Sequence, residues 1–250
     1  MTEEAPAHPQ PPYQEPKEQF DIIDLLLFLG LGIPVLLIVM SLSALLLKTA
    51  GLQIQGARLL IAQCIGYVAL LPLLSFLIRS RHGVSAASLL RFGLSAQQIS
   101  TSIFLGVFTA LSVSAASVLL RTPPLKTPME ELLADTVSLA LASVLGVTIV
   151  PFFEELLFRG LLQTVLARYL TVFVAIPISA LLFALLHGPQ YAWSWRHVLL
   201  ITVAGSAFGI RRLITNSTGA AAIMHGAYNL VLFVALFAGK WAGANLPRAI

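Results

Sequence analysis

The chain has 250 residues, of which 58% are hydrophobic and only 10% charged, with a mean hydropathy of +0.89. A water-soluble domain carries about a quarter charged residues, so this chain lacks the polar surface to be one. The formal net charge of +4 comes without a dense Lys/Arg cluster, which argues against a nucleic-acid partner. The lone Cys64 has no second cysteine with which to close an intrachain disulfide.

Met1 to Gln19 is Pro-rich and acidic, with Glu3, Glu4, Glu15 and Glu18 against Lys17. A secretory leader opens on a basic stretch, so residues 1–21 read as a disordered cytoplasmic tail ahead of an uncleaved signal anchor. A bilayer core of about 30 Å asks for roughly 20 consecutive apolar residues, and the hydrophobic blocks are of that kind. Spans are expected over about 22–47, 59–78 and 103–120. Between the second and third, Arg79, Arg81, His82 and Arg91 suggest a basic interfacial loop with a short helix.

Arg121 to Asp135 contains Pro123, Pro124 and Pro128, then Glu130, Glu131 and Asp135. This reads as a loop leading into an acidic first helical turn. The next apolar stretch, about 137–169, is too long for one straight span, and Pro151 is expected to kink or divide it. Further spans follow over about 172–187, 198–210 and 220–238. The expected fold is all-α: a polytopic transmembrane bundle of about seven to eight helices, with peripheral helices over 22–121 and a compact core after them. A multi-pass protein of the plasma (inner) membrane is expected. A cytoplasmic tail puts Arg79, Arg81, Arg91, Arg211 and Arg212 on the cytoplasmic side.

Of the 11 acidic residues, six precede Leu25 and three lie in the loop before Val137. The other two, Glu154 and Glu155, stand back to back in an apolar stretch. A charge at the bilayer centre costs roughly 2.5–3.5 kcal/mol on insertion scales, so they are functional candidates. A helix end reaching interfacial water is the competing reading. Glu155 and Arg159 are four apart, share a face and can pair, while Glu154 points about 100° away.

His8 and His82 read as solvated, and His197, beside Trp193, Trp195 and Arg196, as part of an interfacial aromatic belt. His187 lies one turn after Phe183, and His225 one turn before Asn229. Two carboxylates, two histidines and an asparagine on separate helices suit hydrolysis. A glutamate can serve as general base, a histidine can assist it or bind a metal, and a His/Asn pair can stabilise an oxyanion. No HExxH or GxSxG motif is present. Gly205 and Gly209 form a small-xxx-small step for close packing, expected within one chain rather than between two.

Three motifs, Glu154-Glu155-Leu-Leu-Phe-Arg159, Phe183-Ala-Leu-Leu-His187 and His225-Gly-Ala-Tyr-Asn229, resemble in order and context the signature of the CAAX proteases and bacteriocin-processing enzymes. This CPBP or Abi family is also called the type II CAAX prenyl endopeptidases. The resemblance covers about 137–238; the N-terminal half resembles only generic membrane helices. It implies an intramembrane endopeptidase, a hydrolase sometimes labelled a metalloprotease, acting on a peptide or protein substrate at the lipid bilayer.

By that resemblance Glu154 activates water with His187, Glu155 and Arg159 orient the site, and His225 with Asn229 forms the oxyanion hole. Zinc on Glu154, His187 and His225, or a metal-free site, are both compatible with it. A non-proteolytic scaffold or bacteriocin self-immunity protein of the same fold is the alternative. A small transporter with an acidic relay is a third reading, weakened by the lack of repeat symmetry.

Overall fold

The computed structural model describes residues 20–123 and 134–241; most of the expected tail and the Pro-rich, acidic loop lie outside them. The fold is all-α. Helix α1 spans Ile22–Thr49, α2 Gln55–His82, α3 Ala86–Leu90, α4 Ala96–Leu119, α5 Thr136–Val147, α6 Ile149–Tyr169, α7 Val172–Leu186, α8 Trp195–Thr215 and α9 Thr218–Trp241.

Local signals set many of the boundaries. Asp21 caps α1 by accepting from the Ile23 and Asp24 amides, and Asp24 reciprocates at the Asp21 amide. Ser95 and Gln98 form the same reciprocal cap on α4, and Asp135 caps α5 through the Ser138 amide. Gly83 ends α2 in the left-handed conformation at φ 72°. Asn216 does the same after α8 at φ 52°, reversing the chain directly into α9.

Five helices, α1, α2, α4, α8 and α9, are long and apolar enough to cross a membrane, and α5 with α6 makes a sixth candidate if the bent pair is one span. Helix α1, with 28 residues, is about 42 Å long at 1.5 Å per residue. Helix α7 has 15 residues, about 22 Å, shorter than the roughly 30 Å hydrocarbon core. The outer faces are apolar: Leu46 on α1 is 68% exposed and Phe104 on α4 69%. In water such faces would be costly; against acyl chains they are the right solvent. The chain is thus an all-α, multi-pass integral membrane protein.

Polar contacts fix which helix ends meet. Arg81 at the end of α2 pairs with Asp21 and Asp24 at the start of α1. The Thr218 amide donates to the Arg91 carbonyl after α3, and Arg211 donates to Ser102, Thr101 and the Gln98 carbonyl at the start of α4. The starts of α1, α4 and α9 and the ends of α2 and α8 therefore share one end of the bundle, here the near end. Arg79, Arg81, Arg91, Arg211 and Arg212 lie at that end, as the sequence suggested.

One histidine expectation is corrected. His82 is not a solvated loop residue: α2 runs through it, its side chain is only 7% exposed, and its Nε2 lies 3.0 Å from Asp24 Oδ1. His197, expected among the interfacial aromatics, is buried and stacked on Tyr191 with ring centroids 4.8 Å apart. Trp193 and Trp195 do face outward.

Helix α6 lies between two apolar clusters. Phe153, Leu156 and Leu161 pack with Phe28, Leu70 and Leu74 of α1 and α2. Phe158 packs on the other side with Phe183, Phe208, Met224 and Tyr228 of α7, α8 and α9. The bend expected at Pro151 falls slightly earlier, at Thr148, where α5 and α6 meet at 41°. Pro151 occupies the first turn of α6, where a missing amide is tolerated. Because Pro151 cannot donate to it, the Val147 carbonyl lacks its i+4 helical partner. Gly226 of α9 packs against that carbonyl so closely that a Cβ would strike it.

Gly226→Ala should therefore lower stability by about 1–3 kcal/mol through overpacking. Gly30→Ala, whose Cβ would meet nothing within 4 Å, should be neutral or slightly stabilising by helix propensity. Melting curves of the two purified variants in detergent check the contrast, which disappears if α9 does not sit against the Val147 carbonyl.

Candidate active site

Helix α6 changes winding at the site: Ile149–Glu155 is α-helical, Leu156–Leu162 is π-helical, and Gln163–Tyr169 is α-helical again. π-Turns inside α-helices are frequent at functional sites. Glu154 and Glu155 stand immediately before this segment and Arg159 lies within it.

Glu155 and Arg159 form the ion pair that their spacing suggests. Arg159 Nη1 donates to Glu155 Oε1 at 2.9 Å, and both side chains are fully buried. Arg159 Nη2 donates across to the Gly205 carbonyl of α8 at 2.7 Å. The guanidinium lies over the rings of Phe183 and Phe208, 4.7 and 5.6 Å from their centroids. Cation–π attraction and hydrogen bonding together offset part of the cost of burying the charge.

The same Glu155 oxygen holds His225: its Nδ1 lies 2.9 Å from Glu155 Oε1. The His225 ring stacks on Phe208 at 4.6 Å and meets Phe183 edge to face at 5.7 Å. His187 caps the end of α7, and its Nδ1 lies 2.9 Å from the Phe183 carbonyl. A carbonyl only accepts, so Nδ1 is the donor and the neutral ring presents its Nε2 lone pair elsewhere. That Nε2 faces Glu154 at 3.8 Å, and His225 Nε2 faces the other Glu154 oxygen at 3.8 Å. Glu154 and His187 keep 19% and 23% side-chain exposure, so the carboxylate that lies between the two imidazoles is not sealed inside the protein. Both 3.8 Å gaps are too long for direct hydrogen bonds and leave room for a bridging water.

Asn229, one turn beyond His225, donates one amide hydrogen to the Gly146 carbonyl of α5 at 2.8 Å. Its second amide hydrogen is not used in that bond. Glu154, Glu155, Arg159, His187 and His225 thus converge, while Asn229 ties α9 to the end of α5 before the Thr148 break.

A tetrahedral zinc with bonds of about 2.0–2.2 Å spaces neighbouring ligand atoms roughly 3.4 Å apart. The imidazole-to-carboxylate separations are 3.8 Å, and among the described residues no three His, Cys, Asp or Glu side chains are grouped to hold a metal ion. Glu154, His187 and His225 have the right donor types for such an ion, and no chemical step is routed through one.

Two supports were not singled out as site residues. Gln163, one turn after Arg159, donates to the Gly209 carbonyl at 3.1 Å, repeating the Arg159–Gly205 contact one turn later. Gly205 and Gly209 must be small for this: a Cβ at Gly205 would lie 2.8 Å from Arg159 Nη2, and one at Gly209 2.7 Å from Gln163 Oε1. The matched four-residue spacing of Arg159 with Gln163 and of Gly205 with Gly209 is the signal that could have found it. Phe208, which stacks on His225, carries no comparable mark in the sequence.

Arg159→Met should cost about 3–5 kcal/mol, because it leaves Glu155 buried without its partner. Adding Glu155→Gln should recover part of that loss. Thermal unfolding in detergent measures both; an Arg159→Met protein as stable as the parent would remove the pair from its structural role.

Residues 136–231 match the family described as type II CAAX prenyl endopeptidase Rce1-like. No curated protein and no solved structure matched the chain. The matched stretch starts at the first helical residue of α5 and ends within α9, two residues after Asn229, so it takes in the whole cluster. For this part of the chain the match supports a link to the CAAX-protease superfamily and, with the membrane-spanning bundle, the intramembrane peptidase class.

Proposed function

We propose that this chain is an intramembrane endopeptidase that hydrolyses a peptide bond of a membrane-associated substrate, a CAAX-type tail or a leader peptide. The observation that carries this reading is Glu154: a partly exposed carboxylate, inside an apolar helical bundle, with an imidazole Nε2 3.8 Å from each of its oxygens.

The cluster holds two carboxylates and one guanidinium. One further proton, shared between Glu154 and the histidines, makes it neutral, and a neutral cluster is what a poorly solvated site tolerates best. In the reaction that proton rests on His225, and the proton that moves is the attacking water's. A water between Glu154 and His187 gives up its hydrogen to Glu154 as its oxygen attacks the scissile carbonyl. The developing oxyanion accepts from His225 Nε2–H, the imidazolium being held between two carboxylates, and from the spare Asn229 amide hydrogen. As the tetrahedral intermediate collapses, Glu154 returns the proton to the leaving amine. Water has then added across one peptide bond, and every group is back in its starting state.

Glu155 and Arg159 do not touch the substrate in this scheme; they fix His225 and the helix that carries Glu154. The CAAX family match supports the reaction class, and the partial exposure of Glu154 and His187 supports their working roles. Non-proteolytic scaffolding remains an outcome of the test.

Detergent-purified protein should cleave members of a quenched-fluorescent peptide set, prenylated and unprenylated. Glu154→Gln should reduce turnover by roughly 10²–10⁴-fold, the range for a lost general base, with an unchanged melting temperature. Equal cleavage by Glu154→Gln would overturn the mechanism. Partner capture that survives Glu154→Ala and His225→Ala, with no cleavage of any peptide, would favour the scaffold. A chelator arm on the same preparation, with zinc added back, reads metal dependence directly.

A further inference from the structure

Helix α2 lies outside the matched residues 136–231, yet it packs beside the carboxylates. Its Tyr67 stacks on Phe153, the residue before Glu154, with ring centroids 4.9 Å apart and planes 22° apart. Glu154 is close enough for its charge to act on the phenol. At 1.5 Å per residue, Tyr67 stands about 18 Å from one end of α2 and about 22 Å from the other, so it lies at mid-span.

The face of α2 that carries Tyr67 changes character there. Gln63, Tyr67, Leu70 and Leu74 follow one another at helical spacing and share that face. Leu70 and Leu74 are buried with Phe153 and Leu156 in one apolar cluster. Gln63 and Tyr67 are polar and only half-buried, at a depth where polar side chains mark function. Gln63 Nε2 donates to the Tyr67 hydroxyl oxygen at 3.0 Å. That bond satisfies each group only in part. The phenol keeps its own hydrogen, and Gln63 keeps a second amide hydrogen and its carbonyl. A pair that served packing alone would cost less as two apolar residues. Stacked on Phe153 and held by Gln63, the phenol oxygen has a fixed place near Glu154 and a hydrogen to give.

An extended peptide takes such a donor. Every residue of it presents a backbone carbonyl, and inside an apolar bundle an unpartnered carbonyl is costly. His225 and Asn229 serve the scissile carbonyl in the hydrolytic scheme, which leaves the carbonyls on either side of it without donors. We propose, on the peptidase reading of Glu154, that Tyr67 is a substrate-binding residue: its phenol donates to a substrate backbone carbonyl adjoining the scissile bond, and Gln63 positions it. A bond of this kind forms on binding and persists through the reaction, so it sets KM and leaves kcat alone.

Tyr67→Phe keeps the ring on Phe153 and removes only the hydroxyl. With the quenched-fluorescent peptides it should raise KM about three- to tenfold, the range for one lost neutral hydrogen bond, with kcat and melting temperature unchanged. Gln63→Leu should move KM the same way by less. Ser75→Ala, which removes an exposed hydroxyl from the same helix, should match the parent. Binding is read separately: each peptide, fluorophore-labelled, is titrated by anisotropy into detergent-purified Glu154→Gln protein, with and without Tyr67→Phe. Loss of the hydroxyl should weaken binding by the same factor. Peptides that bind but that the parent never cleaves would sink the peptidase reading and leave Tyr67 to be judged by the binding result. Binding and KM unaltered by Tyr67→Phe overturn the proposal, as does binding of no peptide. A fall in kcat at constant KM overturns it too, because the hydroxyl would then act in the chemistry and not in binding.

Discussion

Burying Glu155 and Arg159 together is the constraint around which the core is organised. Each ion alone would cost several kcal/mol to remove from solvent, and their mutual attraction offsets this only with further hydrogen bonds. Arg159 obtains one from the Gly205 carbonyl and sits over Phe183 and Phe208. Glu155 obtains one from His225. Three consequences follow. Residue 205 has no room for a side chain, because a Cβ would meet Arg159. Helix α8 must approach α6 at backbone distance. Helix α9 must bring His225 to the same point. The neighbouring Glu154, turned away from the pair, is the carboxylate left facing open Nε2 atoms.

The site also lies where regular helix fails. The chain breaks at Thr148, winds into a π-segment over Leu156–Leu162, and ends α7 at His187. Within a membrane, irregular backbone is tolerated only where protein or a water-lined cavity surrounds it, and all three features lie on the elements that carry the cluster. The Val147 carbonyl freed by Pro151 is covered by Gly226, and the Gly146 carbonyl just before the break accepts from Asn229. The stretch from His225 to Asn229 therefore closes over the break while presenting its histidine to the carboxylates. A kink that weakened the bundle by itself becomes the surface on which α9 docks.

Much of this was legible in the residues. Acidic side chains are so rare after Asp135 that Glu154 and Glu155 declared themselves, and four-residue spacing paired Glu155 with Arg159. The all-α membrane architecture followed from charge-poor apolar blocks. What escaped was contact at long range. Nothing local tells that His82 reaches Asp24, 58 residues earlier, or that His197 stacks beneath Tyr191. Proximity to arginines and tryptophans made both look interfacial, because hydropathy registers neighbours in sequence and not in space. Helix α7 is as apolar as any span, yet its 15 residues fall short of a bilayer's thickness, and composition alone does not register where such a segment ends.

Helix α6 separates two chemistries with one set of side chains. Toward α9 it presents the carboxylates; toward the near end Gln163, Thr164 and Arg168 line a cavity together with Arg91 and Arg212. Arg159 is committed to the first, its Nη1 donating to Glu155. The Gly205 and Gly209 carbonyls hold Arg159 and Gln163 one turn apart, so this stretch of α6 cannot slide or rotate along α8 without losing both bonds.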